Sequence, residues 1–313
     1  MPASPLRRLT VAGLVFIATL ASASAAERAL SPRGPHDMIL VDEGNQQIHR
    51  VNLRDPAVDW DVSLDGKLVR DIQLIGKGRL LASVGQTGYA EVDLASGKVL
   101  KTWKGFGAQT ARRTPDGHTW LGQGNIIVEL DAADTEVRRI TVPGAFIKVI
   151  RHTAAGTLFV GAHDRMLEVD LTGKILKTWV TGADDSYLAA RLPTGEVAIS
   201  SGKALDVQLF SSDGALLRRI GPTSPEYARI GGKSWAGFQI LPNRDLIVAI
   251  WQGHGANGDK GIQVAQFDWN GRLVWHWQQD PKRIASLHGI LVLDGLDLNR
   301  LHDTRHGWLE PLD

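Results

Sequence analysis

The 313-residue chain contains no cysteine, which excludes disulfide bonds, thiolate metal ligands and cysteine nucleophiles. It has no marked excess of either charge, with 35 basic and 34 acidic side chains, so it lacks the basic surplus typical of nucleic-acid-binding proteins. The short patterns of zinc proteases, EF-hands, P-loops and nucleophile elbows are also missing. We therefore expect no metal ion, no cofactor and no nucleic-acid partner.

Long apolar runs are equally scarce, and the single clear one lies at the N-terminus. Val11–Leu20 follows two arginines and precedes a run of alanines and serines. This pattern predicts a secretory signal peptide over residues 1–26, and the run is too short to span a membrane comfortably. The twin-arginine route is an alternative to the general one. Cleavage would leave a single domain over residues 27–313, located in the periplasm or secreted.

The stretch 146–182 shows what the rest of the chain contains. Four short apolar runs alternate there with turn signals rich in glycine, threonine and aspartate. Strand-length runs broken in this way predict an antiparallel meander of four strands. A lone meander buries only one face well, so it requires neighbours of its own kind.

Glycines mark a repeat of this unit along the chain. Gly78, Gly117, Gly156 and Gly195 are spaced 39 residues apart, and Arg244 takes the equivalent position 49 residues further on. A period near 40 with four strands per period predicts the blades of a β-propeller.

A second register gives the number of blades. The third strand of each unit ends in a polar residue before a turn. These residues are Asn52, Asp93, Asp131, Asp170, Ser211 and Asp268. Six third strands imply six blades. Because the polar residue recurs at the same turn in each unit, we expect these side chains to cap turns and not to form a ring of catalytic or metal-binding carboxylates. The recurring Glu91, Glu129 and Glu168 are predicted to be solvated or cross-strand partners.

The two ends of the propeller are predicted to meet in one blade. The chain enters the repeat at Met38–Val41, which has the character of a second strand, and ends with an unpaired first strand, Leu287–Leu293. Pairing these segments removes two exposed sheet edges. We predict an all-β, six-bladed propeller over about residues 35–300, with seven blades as the alternative if residues 286–312 hold more strands.

Function is expected where the repeat is broken, because insertions map to loops on one face. The extra length of the last full unit lies in two loops, residues 221–235 and 253–261. One loop enters an inner strand and the other joins a second strand to a third, so both should open on the face where the inner strands begin. We call this face the mouth.

Polar residues at the predicted mouth form the candidate ligand site. They come from the starts of inner strands, from the two long loops and from the loop between the second and third strands of the fourth unit: Arg70, Gln109, Lys148, Tyr187, His163, Arg165, Lys233, Trp235, His254, Lys260 and His288. If the cations share this face, it suits a small polar or anionic ligand, such as a carbohydrate or sulfate ester, or a protein partner. The alternative is the solvated rim of a water-filled channel.

One blade carries a resemblance to known families. Leu241-Pro242-Asn243 and the segment Phe267–Trp277 resemble a repeat of arylsulfotransferase-type and PQQ-like β-propeller proteins. That resemblance implies a propeller fold, and the sulfotransferases carry a histidine at the start of inner strands, where His288 is the matching residue. In size the chain also resembles streptogramin lyase-like and NHL-type propellers.

These observations leave two hypotheses about function. The first is a non-catalytic binding module, and the alternative is a lyase or transferase that uses His288 and His254 as acid and base. Two imidazoles near one ligand atom, with a carboxylate behind one of them, would favour catalysis because a base requires an orienting partner.

Overall fold

The computed structural model describes residues 33–312 except for 65–68, 222–226 and 256–260. The predicted signal peptide lies outside these residues. The described chain forms six antiparallel sheets of four strands each, which confirms the predicted six-bladed propeller. The seven-blade alternative is wrong, because residues 286–312 add only the closing strand and a short two-stranded hairpin.

Blade 1 combines the two ends of the chain, and its strands from the inside outward are Leu287–Val292, Asp37–Asp42, Gln47–Asn52 and Trp60–Ser63. Each remaining blade takes four consecutive strands, again from the inside outward. They are Ile72–Gly76, Arg79–Val84, Gly88–Asp93 and Val99–Lys104 in blade 2; Thr110–Arg113, Thr119–Gln123, Ile126–Leu130 and Glu136–Thr141 in blade 3; Ile150–His152, Leu158–Ala162, Arg165–Val169 and Ile175–Val180 in blade 4; Ala189–Arg191, Val197–Ser200, Val207–Phe210 and Leu216–Ile220 in blade 5; and Ser234–Ile240, Leu246–Trp251, Val264–Phe267 and Leu273–Trp277 in blade 6.

The predicted closure of the ring is present in blade 1. Met38 pairs with Val292 and Leu40 with Ile290 in an antiparallel ladder. At the start of the closing strand, the buried carboxylate of Asp42 accepts hydrogen bonds from the Ala285 and Ser286 amides at 2.8 and 2.9 Å. A charged acceptor makes these bonds stronger than neutral ones, so Asp42 fixes where the last inner strand begins.

The recurrent polar residues after the third strands cap turns, as predicted. Asp131 Oδ1 accepts from the amides of Ala133 and Thr135, and the other five make equivalent bonds. Their role is therefore local structure and not metal binding.

The recurrent glutamates are cross-strand and inter-blade partners, but the expectation that they are solvated is wrong. Glu91 of blade 2 contacts Arg113 of blade 3 at 3.0 Å, and Glu168 of blade 4 contacts Arg191 of blade 5 at 2.5 Å. Both glutamates are buried. In a propeller each sheet face packs on the next blade, so a strand face that an open sheet would expose to water becomes an interface.

The segment that follows the closing strand seals the channel at the face opposite the mouth. The carbonyls of Leu298 and Asn299 accept hydrogen bonds from the blade 2 turn, and a hairpin of His302–Asp303 and Glu310–Pro311 follows. Buried Asp303 reaches the guanidinium of Arg112 at 2.7 Å. We call residues 294–312 the C-terminal tail.

In the part of the chain that the structure describes, helical structure is limited to a single turn of α-helix, Tyr227–Ile230, and a 3-10 turn at Pro56–Val58. Within the described ranges, neither is long or apolar enough to cross a membrane.

The closing strand should carry a large share of the stability of blade 1. Leu291 is 5% exposed and packs in the core between blades 1 and 2. We expect Leu291→Ala to lower the free energy of unfolding by about 3 kcal/mol, because it removes buried apolar surface and leaves a cavity. Urea denaturation measures this. Leu217→Ala is the matched control, since Leu217 is 51% exposed and should change stability by less than about 0.5 kcal/mol. Equal effects of the two substitutions would contradict the assignment.

Candidate functional site

The two long loops meet at the mouth, as the topology predicts. Gly231 and Gly261 form an antiparallel bridge, and the Ile262 amide donates to the Ile230 carbonyl at 2.9 Å. The second loop also carries His254 to the same side as His288. The predicted neighbourhood of the loops and the closing strand is therefore confirmed.

A buried carboxylate, Glu43, lies at the centre of this neighbourhood. Its Oε2 accepts a hydrogen bond from Trp251 Nε1 at 2.7 Å and lies 3.3 Å from His288 Nε2. Its Oε1 lies 2.9 Å from His254 Nδ1 and 3.4 Å from Arg70 Nη2. One carboxylate thus contacts two imidazoles, one with each oxygen: it is hydrogen-bonded to His254 and lies close to His288.

The turn of blade 1 places Glu43 there. Glu43 follows the strand Asp37–Asp42, and its amide donates to the Ser286 carbonyl at 2.9 Å. A Cβ on the next residue, Gly44, would lie 2.6 Å from both the Gly255 carbonyl oxygen and Ala285 Cβ. Only glycine therefore lets the 253–255 loop approach closely enough for His254 to reach Glu43.

His288 is the more deeply buried of the two histidines. Its ring stacks on Tyr187 at a centroid distance of 5.4 Å and packs at a tilt on Trp251 at 5.6 Å. Burial and the nearby charge of Arg70 lower the pKa of His288 to about 4, although Glu43 acts in the opposite direction. At neutral pH the ring is therefore uncharged. Neither of its two buried nitrogens makes a hydrogen bond within the described residues, although Nε2 lies 3.3 Å from Glu43 Oε2.

The pKa of Glu43 is also shifted below its usual value. Burial would raise its pKa, but contacts with His288, Trp251 and Arg70 outweigh burial and lower the pKa to about 2. At neutral pH Glu43 is therefore anionic and His288 is neutral. The pair provides a fixed hydrogen-bond acceptor beside a potential base.

Several of the described cations at the mouth lie beside carboxylates, so this face carries charges of both signs. Lys148 pairs with Asp185, and Lys203 pairs with Asp184 at 2.7 Å. Burial lowers the pKa of Lys148, an effect that its bond to Asp185 opposes. Arg70 and Lys148 remain the two cations that act electrostatically on the His288 ring.

Behind the histidine lies a narrow cavity in the channel. It measures about 20 Å³, which is room for one or two water molecules. Arg70, Tyr187 and His288 line it, together with Arg151, whose guanidinium binds the carboxylate of Asp71 at 2.9 and 3.0 Å. A ligand larger than this would contact the outer part of the mouth and reach inward with one group.

The other candidate residues lie in different settings. His163 stacks on Phe146 in an exposed turn, and Arg165 pairs with Asp164 at the exposed start of a third strand. Gln109 is half-buried, and Lys233 is exposed. Trp235 is fully buried in the core between blades 5 and 6, where it stacks on Phe267, so its side chain has a packing role. Lys260 lies outside the described residues.

Sequence reasoning missed three members of the site: Glu43, Trp251 and Asp185. A usable signal existed for Glu43, because it occupies the loop between second and third strands that singled out His163 in blade 4. Trp251 looks like an ordinary strand residue, and Asp185 precedes its strand in a polar loop.

Within the described ranges, no three His, Asp or Glu side chains form an arrangement that could hold a metal ion.

The comparisons with known proteins bear on the fold. No protein-family model matches this chain, and no curated protein matches it. A protein of unknown function from Bacteroides caccae is similar in structure, with a TM-score of 0.68 and 18% identity over 83% of this chain and 99% of that one. A streptogramin B lyase structure gives a TM-score of 0.55 and 13% identity over 90% of this chain and 94% of that one.

A further similar structure is that of virginiamycin B lyase from Staphylococcus aureus. It is a catalytically inactive variant in which a histidine is replaced by alanine, with quinupristin. The TM-score is 0.54 and the identity 14%, over 78% of this chain and 84% of that one. At such identities the likeness concerns the fold alone: the chain is a β-propeller protein. The resemblance to arylsulfotransferase-type and PQQ-like proteins stays a prediction.

The buried histidine should make stability depend on pH. An unfolded histidine has a pKa of about 6.5, so between pH 6.5 and about 4 the unfolded state binds more protons than folded His288 does. The contribution of neutral, buried His288 to the free energy of unfolding is present in full above pH 6.5 and is lost as the pH falls toward 4. We expect the urea midpoint to decrease over this range, and His288→Gln to flatten that decrease. An unchanged slope in the variant would contradict the buried neutral state.

Proposed function

We propose that this protein is an exported β-propeller that binds a polar or anionic ligand at the mouth of its channel. We further propose that it acts on that ligand by acid–base chemistry of the lyase or transferase type. The observation that carries the proposal is the Glu43 carboxylate, which contacts the imidazoles of His254 and His288 with its two oxygens.

His254 is suited to be the base. With its Nδ1–H donated to Glu43, the acceptor nitrogen of the neutral ring is Nε2. The side chain of His254 is 75% exposed, so a ligand can approach it from solvent. After proton transfer, the adjacent carboxylate would stabilise the imidazolium, as an orienting carboxylate does in hydrolytic triads.

His288, Arg70 and Lys148 would bind the part of the ligand that does not contact His254. Neutral His288 can hydrogen-bond an inserted polar group, and Arg70 and Lys148 supply positive charge beside it. In an elimination, His254 would take a proton from the carbon next to a carbonyl or carboxylate. The C–H electron pair would form a C=C bond while the leaving group departs with its own pair. Arg70 and Lys148 would stabilise the negative charge that builds up on the carbonyl oxygen.

The fold of the lyases reported above supports this choice of reaction class only as an analogy. A specific observation favours the second candidate, non-catalytic ligand binding. His288 is 5% exposed, and the cavity behind it admits little more than water. A site of this kind can hold one protruding group of a ligand and perform no reaction on it.

Activity measurements on the mature chain test the proposal. We would screen sulfate esters, cyclic lactones and uronate-containing glycans, and follow new C=C bonds by ultraviolet absorbance and free sulfate by ion chromatography. With the best substrate, we expect His254→Ala to lower kcat/KM by about 10²- to 10⁴-fold, because it removes the base. Glu43→Gln should lower it as well and shift the pH profile, since the orienting charge is gone.

His276→Ala provides the matched control, because His276 lies on an exposed outer strand of blade 6. It should leave kcat/KM unchanged. Tight binding without turnover, lost in Glu43→Gln, would select the binding function. Turnover that survives His254→Ala would refute the assignment of the base.

A further inference from the structure

A second cavity lies on the face opposite the mouth, in the cleft between blades 5 and 6. It measures about 90 Å³, several times the volume of the channel cavity. Its wall contains two tryptophans, Trp269 and Trp308, and its rim carries Thr194, Glu196 and Arg244. By the roughly 15 Å³ that one water needs, the space holds about six waters or a small ring.

The C-terminal tail brings Trp308 to this cleft. Trp308 forms a parallel bridge with Ile240 at the end of the blade 6 inner strand. The preceding residue, Gly307, has φ +96° and lies so close to blade 5 that a Cβ would be 2.8 Å from the Arg191 carbonyl oxygen. The tail is therefore seated against both blades, and the indole belongs to a fixed wall.

Trp269 reaches the same cavity from blade 6. It follows the capping residue Asp268, a position filled in the other blades by smaller residues: Leu53, Leu94, Ala132, Leu171 and Ser212. The turn itself does not require an indole there. The Arg218 guanidinium lies 5.0 Å from the Trp269 ring centroid and donates to the Trp269 carbonyl, which holds the residue in place.

Arg244 is a second departure from the repeat. Blades 2 to 5 have glycine at this turn, with φ between +63° and +88°, whereas Arg244 adopts φ +67°. A side chain in the left-handed region is strained, whereas glycine is not. At this strained position the Arg244 side chain lines the cavity, together with Thr194 of the equivalent turn in blade 5.

We propose that this cleft binds the ring of a neutral saccharide. Indole faces pack against the apolar C–H face of a sugar ring, as they do against other apolar rings. A carboxylate and a guanidinium at the rim can each bind two hydroxyls, the first as acceptor and the second as donor. Glu196 and Arg244 together carry no net charge, which matches a neutral ligand.

The saccharide site is independent of the function proposed for the mouth. The tail and the buried pair Arg112 and Asp303 close the channel between the two faces. Binding in the cleft would attach the protein to a glycan and leave the mouth open.

Ligand-observed NMR and calorimetry on the mature chain test this inference, with glucose, N-acetylglucosamine, cellobiose and chitobiose as probes. We expect at least one disaccharide to bind with a Kd in the millimolar range or tighter. Trp269→Ala and Glu196→Gln should each weaken it about ten-fold or more, and Trp269→Phe should weaken it less because an aromatic face is retained.

Trp277→Ala is the matched control, since Trp277 is a half-buried indole of the same blade outside the cleft. Circular dichroism checks that each variant is folded. If Trp269→Ala does not fold, Glu196→Gln still tests the site. The inference is overturned if no probe binds at its solubility limit, or if binding survives both Trp269→Ala and Glu196→Gln. It is also overturned if binding is abolished by Glu43→Gln, which would place the sugar at the mouth.

Discussion

The pairing of the first described strand, Asp37–Asp42, with the inner strand Leu287–Val292 is the constraint on which the rest of this structure depends. It makes the sixth sheet of the ring complete, and the Asp42 carboxylate sets its starting point at Ala285 and Ser286. The same pairing places His288 beside Glu43, although 245 positions separate them in the sequence. Closure of the fold and assembly of the candidate site are therefore one event.

Buried charge organises the interior of the ring. Asp71 of blade 2 binds Arg151 of blade 4 across the channel, and Asp303 of the tail binds Arg112 of blade 3. Desolvated charges are tolerated only when each finds a partner, so these pairs tie the inner strands to one another and to the tail. The result is a channel with a polar mouth at one end and a closed floor at the other.

The repeat made much of this readable from the sequence. Evenly spaced glycines and the capping residues after the third strands specified the blades, because local turn chemistry recurs with the fold. Glu43, by contrast, lies in a loop of a kind that the repeat assigns to the mouth, but the sequence does not show which side chains from different blades meet there. The role of Trp235 was misjudged for a related reason: a residue in a loop-rich segment can still enter the core when that segment begins an inner strand. The tail, which has no repeat, left no signal of its path.

Taking the innermost strand of blade 1 from Leu287–Val292 and the next one from Asp37–Asp42 has a consequence for folding. The chain between them must be made, and its five other blades arranged in order, before the two strands can pair. Until then the ring is an open arc with two unsatisfied sheet edges, and long-range pairing of this kind is slow. The incomplete ring therefore exposes edges that another chain could add to, and the risk of aggregation is greatest before this last pairing forms.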